Sequence, residues 1–296
     1  MVRRRGETQA GRMWLVLMAA VLWGTTGTAQ AFAPVSAQPV VIGAVRLAIG
    51  GTALLLFAAI QGRLVGYQQL QFRPTLLGAA SIAAYQLCFF AGVSLTGVAV
   101  GTIVAIGSAP ILAGLLGWLV EKERPSNRWT AATLLAVSGC TLLIASGGAL
   151  NVHVGGVLLA LGAGACYAVY AHSSKKLLAE HSPDLVTAVL FFLGAVFLLP
   201  ILLVGDLSWL AVGRGLIVAF HLGLVATALA YILFTRGLVG IPVSSAVTLS
   251  LAEPLTAALL GIFLLHEQLS LQGFFGIGLI LAGLTLLTIA SYKKKV

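Results

Sequence analysis

One register constrains this chain more than any other feature: at an offset of 144 residues, the separation of Pro110 from Pro254, the second half repeats the first. The offset also aligns Gly117 with Gly261, Glu123 with Glu267, Gly139 with Gly283 and Thr141-Leu142-Leu143 with Thr285-Leu286-Leu287. Without a gap it pairs Pro39 with Pro183, Gly50 with Gly194, Phe90 with Phe234 and Trp23 with Tyr167. A chain built this way folds as a duplicated unit, so the content of one unit decides the architecture.

That content is apolar. The 296 residues are 59% hydrophobic and 8% charged, against roughly 25% charged in soluble domains. Apolar runs of about 20 residues recur, each long enough to cross ~30 Å of hydrocarbon as a helix. They lack the strict alternation of a membrane barrel. The expected class is therefore an all-α polytopic membrane protein of ten transmembrane helices.

The first five spans run near 13–33, 40–60, 75–95, 99–120 and 128–147; the second five run near 155–177, 185–204, 214–235, 242–265 and 271–290. This divides the chain into a basic tail (1–12), a five-helix repeat (13–147), a second five-helix repeat (155–290) and a basic end (291–296). Arg3-Arg4-Arg5 before an apolar stretch, then Ala29-Gln30-Ala31, imitate a cleaved signal. The internal copy of this stretch, Gly155 to Leu177, argues that it is a span instead.

Fifteen of the 17 Lys and Arg fall on one side of this topology, from Arg3, Arg12, Arg63, Arg73, Lys122 and Arg128 to Lys175, Arg236 and Lys293. Arg214 lies on the other side and Arg46 within a span. The positive-inside rule then makes both termini cytoplasmic and the chain a multi-pass protein of the inner membrane. Five spans are an odd number, so the second copy enters from the opposite face. Inverted repeats are the architecture of many secondary transporters. The +9 charge is spread over loops and tails, which argues against a nucleic-acid partner. Two complete halves make a monomer sufficient.

Trp23-Gly24-Thr25, Arg46-Leu47-Ala48 and Pro110…Glu123-Arg124…Gly139, with Glu253-Pro254…Glu267…Gly283 in the second copy, resemble the EamA-type repeat of the drug/metabolite transporter superfamily. The likeness spans the chain and extends to its amino-acid and metabolite exporters, including the YddG-type exporters of aromatic amino acids. It implies export of a small molecule by alternating access, without a cofactor. Gln268 stands where the first copy has the basic Arg124; an outside loop stripped of positive charge accounts for that departure.

Candidate site residues come from depth. Trp23, Tyr85 with its neighbour Gln86, and Tyr167 fall near mid-span, with Tyr170 and Tyr231 somewhat nearer the cytoplasmic side. Indole and phenol groups there need partners that hydrocarbon does not offer, so they are expected to face a wet cavity and bind substrate. Helix packing with Tyr bonded to a backbone carbonyl explains any one of them as well. Glu253 is the only acid deep in a span and is a functional candidate by its cost alone. It would receive an ammonium group together with Ser244, Ser245 and Thr248, or else serve structure. Pro254 removes one backbone bond from the Ser250 carbonyl; Pro110 and Pro254 are the expected hinges.

Arg46 reads as a structural charge that pairs with Glu253, binds a carboxylate or snorkels outward. His172 and His221 lie near span ends and make poor proton carriers. Cys88, Cys140 and Cys166 have no metal-ligand spacing and read as packing residues. Small residues at Gly101, Ala105, Ala109, Ala113 and Gly117 form a helix-contact seam.

The leading expectation is an exporter of aromatic or other apolar amino acids. The alternative is a proton-coupled exporter of lipophilic cations using Glu253. An intramembrane enzyme fits poorly, because His266-Glu267 lacks a second His at Ser270. A channel would more often show rings of charge.

Overall fold

In the computed structural model, all residues are described except 1–8, 97, 123, 146–152, 265–269 and 294–296. Glu123, Glu267, Gln268, His266, Arg3 to Arg5 and the last lysines thus lie outside the described residues. The helices are α1 (Gln9–Ala31), α2 (Pro39–Ile60), α3 (Phe72–Thr96), α4 (Val98–Leu116), α5 (Asn127–Ala145), α6 (Val154–Leu177), α7 (Pro183–Phe197), α8 (Leu199–Val204), α9 (Gly213–Phe220), α10 (Ala230–Leu238), α11 (Val243–Leu249), α12 (Ala252–Leu264) and α13 (Leu271–Lys293). A π-helical segment, His221–Leu229, joins α9 to α10, and another, Gly117–Glu121, follows α4.

Helix is what an apolar run must form in lipid, because every backbone donor and acceptor has to be satisfied within the segment. The starts are coded locally. Pro39 and its copy Pro183 open α2 and α7 at the first turn, where a missing N–H costs nothing. Ser182 caps α7 through Leu185 N (3.3 Å), and His153 Nδ1 caps α6 through Gly156 N (3.3 Å).

Among the described residues seven segments are long and apolar enough to cross a membrane: α2, α3, Val100–Val120, α6, Gly213–Leu238, Val243–Leu264 and Leu271–Thr288. The sequence expectation was ten. α1 and α5 are long enough but carry Thr, Gln, Asn and Arg along their length, and α7 has only 15 residues. The bundle exposes Leu77, Ile111, Leu134, Leu161, Ile217 and Phe275. So greasy an exterior around an equally apolar core suits lipid rather than water, and the chain is a polytopic membrane protein.

The duplication organises the packing. α3 lies along α6 and α10 along α1; α4 lies against α6 and α12 against α1; α2 packs on α7 and α5 on α13. Under the 144-residue offset each of these pairs maps onto its counterpart or onto itself. The match reaches single atoms. A Cβ on Gly139 would sit 2.6 Å from the Gly276 carbonyl oxygen and 2.7 Å from Ile280 N. Its copy Gly283 stands 2.6 Å from the Ala132 oxygen and 2.9 Å from Ala136 N. Without a water-driven hydrophobic effect, such close backbone approach is what holds helices together in lipid.

Gly139→Ala and Gly283→Ala are therefore expected to destabilise by similar amounts, about 1–3 kcal/mol each. Gly278→Ala, with nothing within 4 Å, should be neutral or slightly stabilising. Thermal unfolding of the detergent-solubilised protein checks all three.

The copies differ in regularity. α2 and α4 run unbroken, α4 straight through Pro110. Their counterparts are interrupted, at Leu198 between α7 and α8 and at Ser250–Leu251 between α11 and α12. The π-helical segment 221–229 is the third irregularity of the second half.

Candidate functional site

Close helix contacts bring the mid-span rings together. Gly24 lets α1 settle against α12, its absent Cβ lying 2.7 Å from the Glu253 carbonyl oxygen. Gly164 does the same for α6 against Ala105 and Ser108 of α4. Trp23 and Tyr167, one residue before Gly24 and three after Gly164, thus meet at the bundle centre. Ring centroids are 4.8 Å apart for Trp23–Tyr231, 4.3 Å for Phe191–Tyr231, 5.4 Å for Trp23–Phe234 and 6.2 Å for both Trp23–Tyr167 and Tyr85–Tyr167. Tilted and edge-on pairs predominate, as ring quadrupoles favour.

Above this cluster lies a cavity of about 560 Å³, within the range of small-molecule sites. Trp23, Tyr85, Gln86, Tyr167 and Tyr231 line it, together with Phe89 and Phe90. Its mouth is framed by Thr26 and Gln30 at the end of α1, Pro39 at the start of α2, Val93 near the end of α3 and Thr102 near the start of α4. No lining residue lies at the opposite end of the bundle, which ionic contacts tie together. There Asp184 (6% exposed) accepts from Arg63 and, at 2.9 Å, from Arg236. Lys175 Nζ donates to the carbonyls of Leu238, Val239 and Ile241 at 2.7, 3.1 and 2.9 Å, a favourable site for a cation at the end of α10.

Arg46 and Glu253 are the only charged side chains among the described residues lining the cavity. Arg46 is 7% exposed and held inward: Nε donates to Thr227 Oγ1 (3.1 Å) and Nη2 to the Ala226 carbonyl (3.4 Å). The π-helical turns explain this hold. Thr227 donates its own hydroxyl to Leu222 O, five residues back (2.8 Å), leaving its lone pairs to face Arg46. Glu253 sits in the first turn of α12, where the helix dipole favours a carboxylate. Among the described residues its carboxylate has neither a hydrogen bond nor an ion pair, Arg46 included, although both side chains line the cavity. Ser250, at the break before Glu253, bonds the Tyr167 hydroxyl (3.1 Å) and the Ala246 carbonyl (3.2 Å).

Four expected site residues lie elsewhere. Tyr170 is fully buried beneath the cluster, beside Phe191 and Phe234. Thr248 is fully buried too, accepting from Trp129 Nε1 (3.1 Å) and meeting Thr133 (3.0 Å), so it ties α11 to α5. Ser244 and Ser245 sit on α11 a full turn nearer the closed end and do not line the cavity. For Thr248 the reason is rotation about the helix axis, which turns its side chain toward α5.

Pro254 lines the cavity at the helix break, while Pro110 does not. The Ser250 carbonyl freed by Pro254 accepts instead from Glu253 N (2.9 Å). Trp23 Nε1 is buried without a hydrogen-bond partner among the described residues. His221 does not snorkel; its Nε2 meets Thr25 Oγ1 at 2.9 Å, and that hydroxyl is donated to Leu22 O (2.6 Å), so the ring N–H is the donor. His172, likewise, donates to the Ala113 carbonyl (2.9 Å). Phe89, Phe90, Thr26, Gln30 and Thr102 were missed; at 144 residues' offset Phe90 pairs with Phe234 of the ring cluster, which was the available signal. Among the described residues no three His, Cys, Asp or Glu side chains converge as a metal site.

Comparison with known proteins agrees with this architecture. The chain is 49% identical over 280 residues to YwfM of Bacillus subtilis (strain 168), an uncharacterized transporter, covering 95% of this chain and 94% of that one. It is 32% identical over 275 residues to the threonine/homoserine exporter RhtA of Escherichia coli (strain K12), covering 90% and 87%. A crystal structure at 21% identity shares the fold with a TM-score of 0.82, over 96% of this chain and 99% of the other. The profile of the EamA-like transporter family matches twice, at residues 11–145 and 154–289, and the chain belongs to that family of the drug/metabolite transporter superfamily.

Proposed function

We propose that this transporter exports amino acids with aromatic or other apolar side chains across the inner membrane by alternating access. The observation that carries the reading is the cavity: one wall of tilted and edge-on rings, two opposite charges, and a lining confined to one end of the bundle. Trp23, Tyr85, Tyr167 and Tyr231 frame the side chain, Glu253 receives the ammonium, and the unpartnered Trp23 indole N–H offers a further donor. The name of the RhtA relative, a threonine/homoserine exporter, favours the amino-acid class.

The topology belongs to the same proposal. α1, α5 and α7 complete ten crossings, and the halves 13–147 and 155–290 are inverted five-helix repeats. The end holding Arg12, Arg63, Lys175 and Arg236 is cytoplasmic, both termini included. The open cavity then faces outward, and one chain suffices for transport.

Purified protein in liposomes tests the reading by counterflow of labelled phenylalanine and threonine. Saturable exchange is expected, stronger for phenylalanine. Uptake of tetraphenylphosphonium with no amino-acid exchange would favour a lipophilic-cation exporter with Glu253 as counterion.

A further inference from the structure

We propose that Arg46 is the carboxylate receptor of the site, so that Arg46 and Glu253 together admit only molecules carrying both a free ammonium and a free carboxylate. This rests on the amino-acid reading above and sharpens it. A purely structural arginine would spend its donors on the protein, and a snorkelling one would reach the headgroups. Arg46 does neither. Its Nε and Nη2 are pinned by Thr227 and Ala226 of the π-helical segment, which fixes the plane of the guanidinium. Among the described residues Nη1 bonds nothing, and the side chain lines the cavity.

Glu253 stands on the same cavity, its carboxylate unpaired among the described residues. Two opposite charges facing one largely apolar cavity without touching leave a gap that a zwitterion closes at both ends. Each end then gains a charge-assisted hydrogen bond and neither charge stays buried alone. A lipophilic amine satisfies Glu253 and strands Arg46; a carboxylic acid does the reverse. The ring wall then reads the side chain, while the charge pair reads the backbone of the substrate.

Phenylalanine, phenethylamine and 3-phenylpropionate share the ring and differ only in the charged groups, so they make the test. Binding of each to purified wild type, Arg46→Gln, Arg46→Lys and Thr227→Val is measured by calorimetry, beside counterflow competition. In the wild type phenylalanine should bind roughly tenfold or more tighter than either analogue. Arg46→Gln should bring phenylalanine and phenethylamine to within about threefold of each other, mainly by weakening phenylalanine.

Thr227→Val keeps the charge but loosens its aim, and should retain only part of the discrimination; it also serves if Arg46→Gln does not fold. Amino-acid binding with phenethylamine equally tight in the wild type, or discrimination unchanged in Arg46→Gln and Thr227→Val, overturns the role of Arg46 while leaving the amino-acid reading intact. No binding of any amino acid overturns both.

Discussion

Replacing Glu253 by Gln is expected to cut amino-acid counterflow by roughly 30-fold or more, since removing one member of a desolvated charged contact costs about 2–5 kcal/mol. The substitution is nearly isosteric, and the carboxylate it replaces makes no hydrogen bond to the protein among the described residues, so the fold should survive. That separates two roles. A structural Glu253 accepting bonds from a neighbouring helix would make Glu253→Gln unstable and otherwise unremarkable in transport. A substrate-binding Glu253 makes it stable and slow, with thermal unfolding close to wild type. The same variant decides the coupling question. If Glu253 exchanges a proton for substrate, wild-type flux responds to an imposed pH gradient and the variant's residual flux does not. Wild-type counterflow rates in Glu253→Gln would remove the residue from the site.

The geometry behind that expectation was only partly written in the sequence. The duplication, the helical class and the central position of Trp23, Tyr167 and Glu253 follow from register and depth alone, because a repeat and a polar group in hydrocarbon are both visible in one dimension. Pro39 and Pro183 even mark the first turns of α2 and α7. What the sequence hides is rotation about each helix axis. Ser244, Ser245 and Thr248 look like cavity residues until α11 is turned, and then Thr248 holds Trp129.

The irregularities were hidden for a related reason. Pro110 and Pro254 are equivalent in the alignment, yet α4 passes through one while the other's helix parts at Ser250–Leu251. The difference lies in what surrounds them: Tyr167 bonds the Ser250 hydroxyl, a tertiary contact with no local signature. The π-helical segment is similar, since its purpose shows only when Arg46 arrives from α2. The breaks at Leu198 and Ser250–Leu251 and the π-helical segment 221–229 fall in the second half, whose Ala226 and Thr227 hold Arg46.

The charges at the closed end break the symmetry in another way. Asp184, Arg236 and Lys175 have as copies Val40, Gly92 and Ala31, so the ionic closure has no equivalent around the outer mouth. On the proposed orientation an empty carrier should therefore rest with its cytoplasmic end shut, and Asp184 is its fastener. It sits in the first turn of α7, almost wholly buried, gripping two arginines whose side chains are 43% and 39% exposed. Half-exposed partners limit the energy, so the expected loss in Asp184→Asn is about 1–2 kcal/mol rather than the full cost of a buried pair. That raises the inward-open population roughly 5- to 30-fold.

Spin labels at Gln61 and Ala179, in a background lacking the three native cysteines, read this directly. Wild type should give one narrow distance distribution, and Asp184→Asn a second, longer population that also appears partially in wild type at ~1 M salt, where exposed charges are screened. Asp184→Glu should stay close to wild type. Identical distributions in wild type and Asp184→Asn would mean that the ring cluster of Trp23, Tyr231 and Phe234, and not the ionic contacts, keeps this end closed.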